Sequence, residues 1–111
     1  MLAFTALADP TRRRIVEMLA DGERTAGEIV ARFDMTAPAI SQHLKMLREA
    51  GLVRVRAEGQ RRIHALEESG FSEMEAWIAK TKRFWENRLD ALEQTLRAED
   101  AKKKKPRVKK K

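Results

Sequence analysis

The sequence predicts a mainly helical α+β fold with one small β-hairpin, and three observations support this fold class. Apolar residues recur at spacings of three and four within residues 2–50 and again within residues 69–98, as on the buried face of a helix. Between these stretches the apolar period changes to two, which is typical of β-strands. Capping residues, glycine and proline separate the segments at lengths that suit single helices and strands.

The composition limits the chain to one modest domain and excludes several kinds of site. Its 111 residues suffice for one core. Cysteine is absent, which excludes disulfides, zinc–thiolate sites and cysteine nucleophiles. The opening residues lack a basic segment followed by a long apolar run, so we expect no signal peptide. No stretch approaches the roughly 18 apolar residues of a membrane span, and we expect no membrane partner.

The net charge of +7 is distributed unevenly along the chain. Residues 102–111 contain seven lysines and one arginine, whereas residues 1–101 contain 16 basic and 17 acidic side chains. Within that nearly neutral body, residues 36–66 carry six basic and two acidic side chains. We therefore predict a local basic surface on a domain formed by residues 1–98, followed by a basic, disordered tail at residues 99–111. The tail is either a solvated extension or an arm that adds phosphate contacts.

The first two predicted helices lie before residue 23. Residues 2–7 form a short apolar opening of one or two helical turns. Asp9-Pro10 then starts a second helix, because aspartate can cap a helix and proline is tolerated at the first helical position. Asp21-Gly22 ends it. Of the three arginines Arg12–Arg14, we expect at least one to serve structure, either by pairing with Glu17 or by capping a neighbouring helix.

The next two helices are predicted to form a helix-turn-helix. Residues 25–28, Thr-Ala-Gly-Glu, have the form of a capping box that starts a short helix. After a turn, Thr36 caps a longer helix, and Gly51 is suited to the residue that follows its C-cap. The inward side chains of that longer helix recur at spacings of four and three, and are Ile40, Leu44 and Leu47. Two helices of this length joined by a short turn are typical of the motif.

A β-hairpin with a basic tip is predicted to follow. Apolar and basic residues alternate over residues 53–57, a turn lies at residues 58–60, and alternation resumes over residues 62–65. In this pattern His64 lies on the same face as Arg62, opposite the inward apolar residues. Arg54 and Arg56 are open to pairing with acidic side chains of the last helix.

One long helix is predicted from about Ser69 to Ala98. Its apolar stripe recurs at spacings of three and four and comprises Phe71, Met74, Ile78, Thr81, Trp85, Leu89, Leu92 and Leu96, with Trp77 and Phe84 widening it. A domain this small cannot cover the whole stripe, so we expect the same helix of a second subunit to pack on it. The alternative is packing on its own domain alone. A small-molecule pocket at the dimer interface, lined by Trp77, Phe84 and Trp85, stays open beside an ordinary core role for these side chains.

A helix-turn-helix followed by a basic hairpin predicts binding to duplex DNA. A step of 100° per residue places Gln42 and Lys45 on the outer face of the longer helix and His43 at its edge. Gln42 can pair with adenine, and Ala39 can touch a thymine methyl group. The remaining candidates suit phosphate or the minor groove, and they are Thr36, Ser41, Lys45, Arg61 and Arg62. The alternative is that these side chains form an ordinary solvated face.

Metal binding and catalysis have no support in the sequence. The two histidines, His43 and His64, have no cysteine near them and no histidine on the long helix to complete a metal site. The chain also lacks a glycine-rich phosphate loop, and its sequence shows no pattern that pairs a catalytic nucleophile with a base. We therefore predict no metal, no cofactor and no enzymatic activity.

The segments LADPTRRRIVEMLADGE and TAPAISQHLKMLREAGLVRVRAEGQRRIHAL resemble the ArsR-type winged-helix repressors of bacteria, and the similarity extends over about residues 2–98. The resemblance implies a homodimer with the first and last helices at its interface, bound to an imperfect palindrome near its own promoter. It implies that the recognition-helix residues are Ala39, Ser41, Gln42, His43 and Lys45, and that the wing residues are Arg61 and Arg62. The interface residues that we expect are Leu2, Phe4, Trp77, Ile78, Trp85, Leu89, Leu92 and Leu96.

The chain departs from the metal-sensing members of that family. Those members carry cysteines on the first helix of the helix-turn-helix, or aspartate and histidine ligands on the last helix. The corresponding stretches here, TAGEIVARF and KTKRFWENRLDALEQTL, hold neither cysteine nor histidine. The resemblance is therefore to the subgroup that lacks metal ligands. What releases such a protein from DNA, whether a small molecule, a protein or nothing, stays open.

The predicted function is a dimeric, sequence-specific repressor in the cytoplasm, associated with the nucleoid when it is bound to DNA. It would read two successive major-groove faces about 34 Å apart. One alternative is an architectural DNA binder dominated by the lysine-rich tail. Another is a protein-interaction module that uses the winged helix as a scaffold and binds its partner through the long helix.

Overall fold

The computed structural model describes the backbone of residues 2–109 and the side chains of residues 2–102. The chain divides into two compact units, residues 1–75 and residues 76–111. The elements, in chain order, are α1 (Leu2–Leu7), α2 (Pro10–Ala20), β1 (Arg24–Thr25), α3 (Ala26–Ala31), α4 (Ala37–Glu49), β2 (Val53–Glu58), β3 (Arg61–Leu66) and α5 (Glu68–Lys109). The first unit contains α1 to β3 and the first turns of α5, and the second is the rest of α5.

Side-chain caps start the three helices that carry the fold, as the sequence predicts. The Asp9 carboxylate accepts a hydrogen bond from the backbone N–H of Arg12 at 3.0 Å. Thr25 and Glu28 form the reciprocal capping box, with hydrogen bonds of 3.1 and 2.9 Å. The Thr36 hydroxyl oxygen accepts from the N–H of Ala39 at 3.2 Å. Each cap satisfies a backbone donor that the helix cannot pair internally.

The sheet has three antiparallel strands in the order β1-β3-β2. The predicted hairpin is confirmed: Glu58 pairs with Arg61, and Gly59 at the tip has a φ of +65° that favours glycine. The third strand, β1, was not predicted. It has two residues, Arg24 and Thr25, which pair with β3 and are too few to show an alternating pattern.

The core of the first unit lies between α1, α2, α4 and the sheet. The predicted inward residues of α4 are confirmed, because all three have at most 2% of their surface exposed. The largest fully buried side chains are Ile15, Ile29, Ile40, Leu44, Leu47 and Leu52. Phe71 is half-buried against this core and Met74 is buried in it, so the first turns of α5 belong to the same unit. These contacts fix the position of α4 relative to the hairpin.

Two glycines allow the end of α4 to pack closely on the start of α5. Gly51 has a φ of +73°, as predicted for the residue that ends α4. The backbone N–H of Gly70 donates to the Gly51 carbonyl at 2.8 Å. A Cβ at Gly70 would lie 2.6 Å from the carbonyl oxygens of both Ala50 and Gly51. No residue larger than glycine fits at Gly70 without displacing the backbone.

Helix α5 is longer than the sequence predicts, since it runs past Ala98 to Lys109. No side chain beyond residue 102 is described, so the proposed boundary between a domain ending at residue 98 and a tail at residues 99–111 stays a prediction. The apolar side chains of the second unit are about half exposed, and they are Trp77, Ile78, Phe84, Trp85, Leu89, Leu92 and Leu96. Within the described part of the chain, no helix is long and apolar enough to cross a membrane.

Candidate nucleic-acid interface

The outer face of α4 presents mainly polar and basic side chains, because Ile40, Leu44 and Leu47 turn inward to the core, while Met46 is 40% exposed. Ser41, Gln42 and Lys45 are exposed, and Ala39 is half-buried beside the first turn. This agrees with the face that a 100° step predicts. Small residues at the start of the helix leave the backbone accessible, and Gln42 has two donors and an amide oxygen with which to recognise a base edge.

The N-terminus of α4 adds a backbone donor to this face. Thr36 is exposed, and its oxygen is used in the cap while its hydroxyl hydrogen can still be donated. Pro38 has no N–H and the N–H groups of Ala39 and Ile40 donate to Thr36, so the N–H of Ala37 and the helix dipole are what favour an anion here. A DNA phosphate is one such anion, in keeping with the role predicted for Thr36.

His43 occupies a different environment from the other predicted site residues. Its side chain is 18% exposed, and its Nδ1 lies 3.3 Å from a guanidinium nitrogen of Arg12 and 4.0 Å from the Asp9 carboxylate. The N–H of Arg12, together with the charges of Arg12 and His43, lowers the pKa of Asp9. The ring of His43 is therefore held between α4 and the start of α2, which suits orientation of α4 better than contact with a base.

Arg12 and Arg13 connect α2 to the preceding helix. Arg12 donates to the carbonyls of Ala6 and Thr5, and Arg13 donates to those of Leu7 and Ala8. These carbonyls lie in the last turn of α1 and just after it, where helical N–H partners run out, although that of Thr5 also accepts from the N–H of Ala8. The expectation that at least one arginine of Arg12–Arg14 caps a neighbouring helix is confirmed. Because Arg12 also contacts His43, one side chain links the C-terminal end of α1 to α4, the predicted recognition helix.

The two arginines at the start of β3 form the accessible basic end of the hairpin. Arg61 and Arg62 are exposed beside the Gly59 turn. The arginines of β2 have their partners in and beside the sheet rather than on the last helix, the pairing that the sequence left open. Arg54 donates to the Leu66 carbonyl at 2.9 Å, and Arg56 pairs with Glu23 and Glu58. The hairpin charge available to a phosphate is therefore concentrated at its tip.

The ion pair of Arg56 explains why the middle of the hairpin is less basic than its sequence. The side-chain hydrogen bond from Arg56 lowers the pKa of Glu23, and the same pair raises the pKa of Arg56. Both groups thus stay charged and largely neutralise each other near neutral pH. Glu23 lies in the loop before β1, so its position beside β2 depends on the sheet order and could not be inferred from the local sequence.

The predicted orientation of His64 is wrong. Alternation placed it on the outer face with Arg62, but only 3% of its surface is exposed. The reason is that both faces of β3 are covered here, since Ile63, His64 and Ala65 are buried in succession and helices α2 and α3 both contact the strand. A strand covered on both faces does not show the one-sided alternation of a hairpin lying on solvent.

The described residues contain no group of three or more histidine, cysteine, aspartate or glutamate side chains arranged to hold a metal ion. His43 and His64 lie on different elements with different neighbours: residues at the start of α2 contact the first, and side chains of α3 and α4 lie beside the second. The site therefore presents hydrogen-bond donors, an exposed amide and positive charge, which are groups suited to duplex DNA.

Known proteins are similar to this chain in sequence and in fold. Residues 9–55 match the family described as bacterial regulatory protein, arsR family. The chain is 40% identical over 97 residues to the HTH-type transcriptional regulator Rv2034 of Mycobacterium tuberculosis, an alignment that covers 87% of this chain and 88% of that protein. It is 42% identical over 57 residues to the transcriptional repressor SdpR of Bacillus subtilis, covering 51% of this chain and 63% of the repressor.

Solved structures extend the similarity to the fold. The crystal structure of an ArsR family transcriptional regulator, RHA00566, has 38% identity and a TM-score of 0.72, covering 77% of this chain and 93% of that one. The homodimeric winged helix-turn-helix DNA-binding domain of Mb0332 from Mycobacterium bovis has 28% identity and a TM-score of 0.60, covering 74% and 76%. The predicted fold class and the prediction of a DNA-binding transcriptional regulator rather than an enzyme are confirmed. This chain belongs to the ArsR family of bacterial regulatory proteins.

Proposed function

We propose that this protein is a homodimeric repressor that binds an imperfect palindromic operator near its own promoter. The observation that carries the proposal is the exposed face of α4, with Gln42 and Lys45, beside the exposed arginines Arg61 and Arg62 of the hairpin. A repressor of chromosomal genes acts in the cytoplasm and on the nucleoid, which is the location that we propose. Two copies would read successive major-groove faces about 34 Å apart.

The predicted site residues divide into groups with different roles in this proposal. Gln42 recognises a base edge, and Ala39 packs against a thymine methyl group. The phosphate contacts come from Thr36, Ser41 and Lys45, and the hairpin contacts come from Arg61 and Arg62. His43 contributes by holding α4 against α2, as its contacts with Arg12 and Asp9 favour. No metal or cofactor is required by this arrangement.

Dimerisation is proposed to use α1 and the second unit. The exposed apolar side chains of these elements are those predicted for the interface: Leu2, Phe4, Trp77, Ile78, Trp85, Leu89, Leu92 and Leu96. The Mycobacterium bovis relative described above is a homodimer, which supports the same assembly here. The repressor SdpR supports repression as the outcome, whereas another relative, from Vibrio cholerae, is the transcriptional activator HlyU.

A genomic DNA selection with the full chain and with a variant lacking residues 102–111 tests the proposal. We expect both proteins to enrich the same palindromic sites, with weaker overall binding by the truncated protein because it has lost seven lysines and one arginine. Enrichment of sites upstream of the protein's own gene would support autoregulation. Loss of nearly all affinity on truncation would instead favour an architectural, tail-driven binder. Failure of the full chain to enrich any duplex would favour a protein-interaction module.

A further inference from the structure

A cleft separates the recognition helix from the middle strand of the sheet. Its volume is about 230 Å³, and its lining comprises Ala26, Ser41, Leu44, Arg48, Arg62 and His64. Two guanidinium groups, a hydroxyl and an imidazole are the polar groups of this lining, and none of these six described residues is acidic. A water molecule takes up roughly 30 Å³ in the liquid. The cleft therefore has room for a small ion together with water.

The imidazole of His64 is an unusual component of this lining. The residue is 3% exposed, and its Nδ1 is buried without a hydrogen-bond partner among the described residues. Buried polar atoms are normally paired, so an unpaired one indicates a group that binds there or a functional use of the nitrogen. Because His64 lines a cleft with two arginines, the missing partner is expected to carry negative charge.

The charges around His64 come from two elements, and a third adds a carbonyl dipole. Arg48 approaches from α4 and Arg62 lies on the same strand, while β1 contributes the backbone carbonyl of Arg24. The neighbours from α3 and β2 are the uncharged Ala26 and Val55. Burial is the largest effect that lowers the pKa of His64, and the charges of Arg48 and Arg62 act in the same direction, partly opposed by nearby carbonyls. The ring is therefore neutral at neutral pH when the cleft holds no anion.

We propose that this cleft binds a phosphate-class oxyanion, held by Arg48 and Arg62 with Ser41 and His64 as further donors. Arginine suits such a ligand because its planar guanidinium can donate two parallel hydrogen bonds to one oxyanion. The ion is either a backbone phosphate of bound DNA or free inorganic phosphate. The site rests on the proposed function only in that Ser41 and Arg62 are also proposed DNA contacts. Arg48 and His64 are not among the proposed DNA contacts.

Anion binding is coupled to protonation of His64. A bound oxyanion favours the imidazolium, so the pKa of His64 is higher in the complex than in the empty cleft. Binding takes up a proton between these two pKa values. The affinity is therefore greatest below the pKa of the empty cleft, and it falls as the pH rises through the pKa of the complex.

Histidine NMR on the full-length protein tests the site with sulfate as the first probe, since its charge stays constant across the neutral range. The chain has two histidines, so a His43→Gln variant assigns the signals. We expect sulfate to shift the His64 ring signals saturably and to raise the pKa of His64. Arg48→Gln and Arg62→Gln should each weaken sulfate binding at least tenfold. Arg83→Gln on α5, which removes the same charge from an exposed position outside the cleft, should leave it unchanged.

Three outcomes of this titration would overturn the proposal. They are no saturable response of His64 to sulfate, phosphate or duplex DNA; equal weakening by Arg83→Gln; and an affinity that increases through the neutral range with rising pH. Matching thermal unfolding of the Arg48→Gln variant and the unsubstituted protein would show that a loss of binding is local. Because sulfate binding is measured without DNA, failure of the unsubstituted protein to bind any duplex would count against the proposed function and leave this test intact.

DNA titrations with Arg48→Gln then separate the two sources of the ion. If a backbone phosphate occupies the cleft, the slope of log affinity against log salt should fall by about 0.9 in magnitude, as for one lost phosphate contact. Inorganic phosphate should then compete with duplex in the unsubstituted protein. If free phosphate is the ligand, Arg48→Gln should leave the salt slope unchanged and abolish the response of His64 to inorganic phosphate.

Discussion

At the scale of single residues, adjacent exposed positions on α4 are suited to different contacts with DNA. Gln42 offers a planar amide with donor and acceptor atoms, which matches the major-groove edge of adenine. Lys45 offers a point charge on a flexible stem, which suits a phosphate of any sequence. Both side chains are exposed on the same face of the helix. Specificity and overall affinity should therefore depend on different residues.

Replacing Gln42 by alanine is expected to weaken binding to the selected operator by about 1–3 kcal/mol and to relax the base preference at one position of each half-site. The physical reason is the loss of a bidentate pair with a base. Competition binding against operators substituted at each position would measure both effects.

Lys45→Ala serves as the contrasting variant. It should weaken binding to every duplex alike and reduce the salt dependence. If Gln42→Ala behaves in the same uniform way, or changes neither affinity nor preference, the proposed recognition face is misassigned.

At the scale of elements, the recognition helix is fixed at its C-terminal end by the close approach of α4 and α5. The hydrogen bond from Gly70 to the Gly51 carbonyl brings the two backbones into contact. The neighbours of an added Cβ at Gly70 are carbonyl oxygens, which cannot rotate away as a flexible side chain can. Gly27 offers a comparison, because it also lies in the first turn of a helix and a Cβ there would meet only the Thr25 hydroxyl at 4.0 Å.

Gly70→Ala should lower the free energy of unfolding by about 1–3 kcal/mol, as expected for an overpacked site. Gly27→Ala should instead raise it by about 0.4–1 kcal/mol, because alanine restricts the unfolded chain and fits the helix. Urea unfolding of both variants at one protein concentration would measure the difference, since a dimer's stability depends on concentration. A Gly70→Ala protein as stable as the Gly27→Ala protein would contradict the close approach.

At the scale of the whole molecule, the second unit carries an apolar face and a polar face on one helix. Leu89 and Leu92 are more than half exposed, whereas a 100° step places Asn87 and Gln94 on the opposite side of α5. Burial of one such leucine against a second subunit would contribute roughly 1.5–3 kcal/mol. A charge placed there would have to be desolvated on association.

The double substitution Leu89→Glu with Leu92→Glu is expected to produce a monomer that binds the palindromic operator about 10²-fold or more weakly, because the two half-sites are no longer linked. The control is Asn87→Glu with Gln94→Glu, which adds the same charge on the opposite face and should remain a dimer. Sedimentation and operator binding would be measured on both. A dimeric Leu89→Glu, Leu92→Glu protein would place the interface elsewhere.

The parts of the fold that the sequence predicted are those in which neighbours along the chain determine the structure. The caps of Asp9, Thr25 and Thr36 act on backbone groups three residues away, and the hairpin is defined by a turn at Gly59. The orientation of His64 was mispredicted because its burial depends on residues of α3 and α4, such as Ala26 and Leu44, which lie far away in sequence. The local period of two describes a strand, but it does not state how many of its faces are covered.

The sequence by itself determined the order of the helices and the hairpin, the outward position of Gln42 and Lys45 and the basic hairpin tip. These follow from helical and strand periods and from local caps, which act over a few residues. Only the tertiary structure decided which arginines are neutralised, since Arg56 meets Glu23 across the sheet. It likewise decided that Arg48 and His64 line one cleft, because α4 and β3 pack together through a core that no single segment specifies. Long-range packing, not local propensity, brings such groups within reach of one ligand.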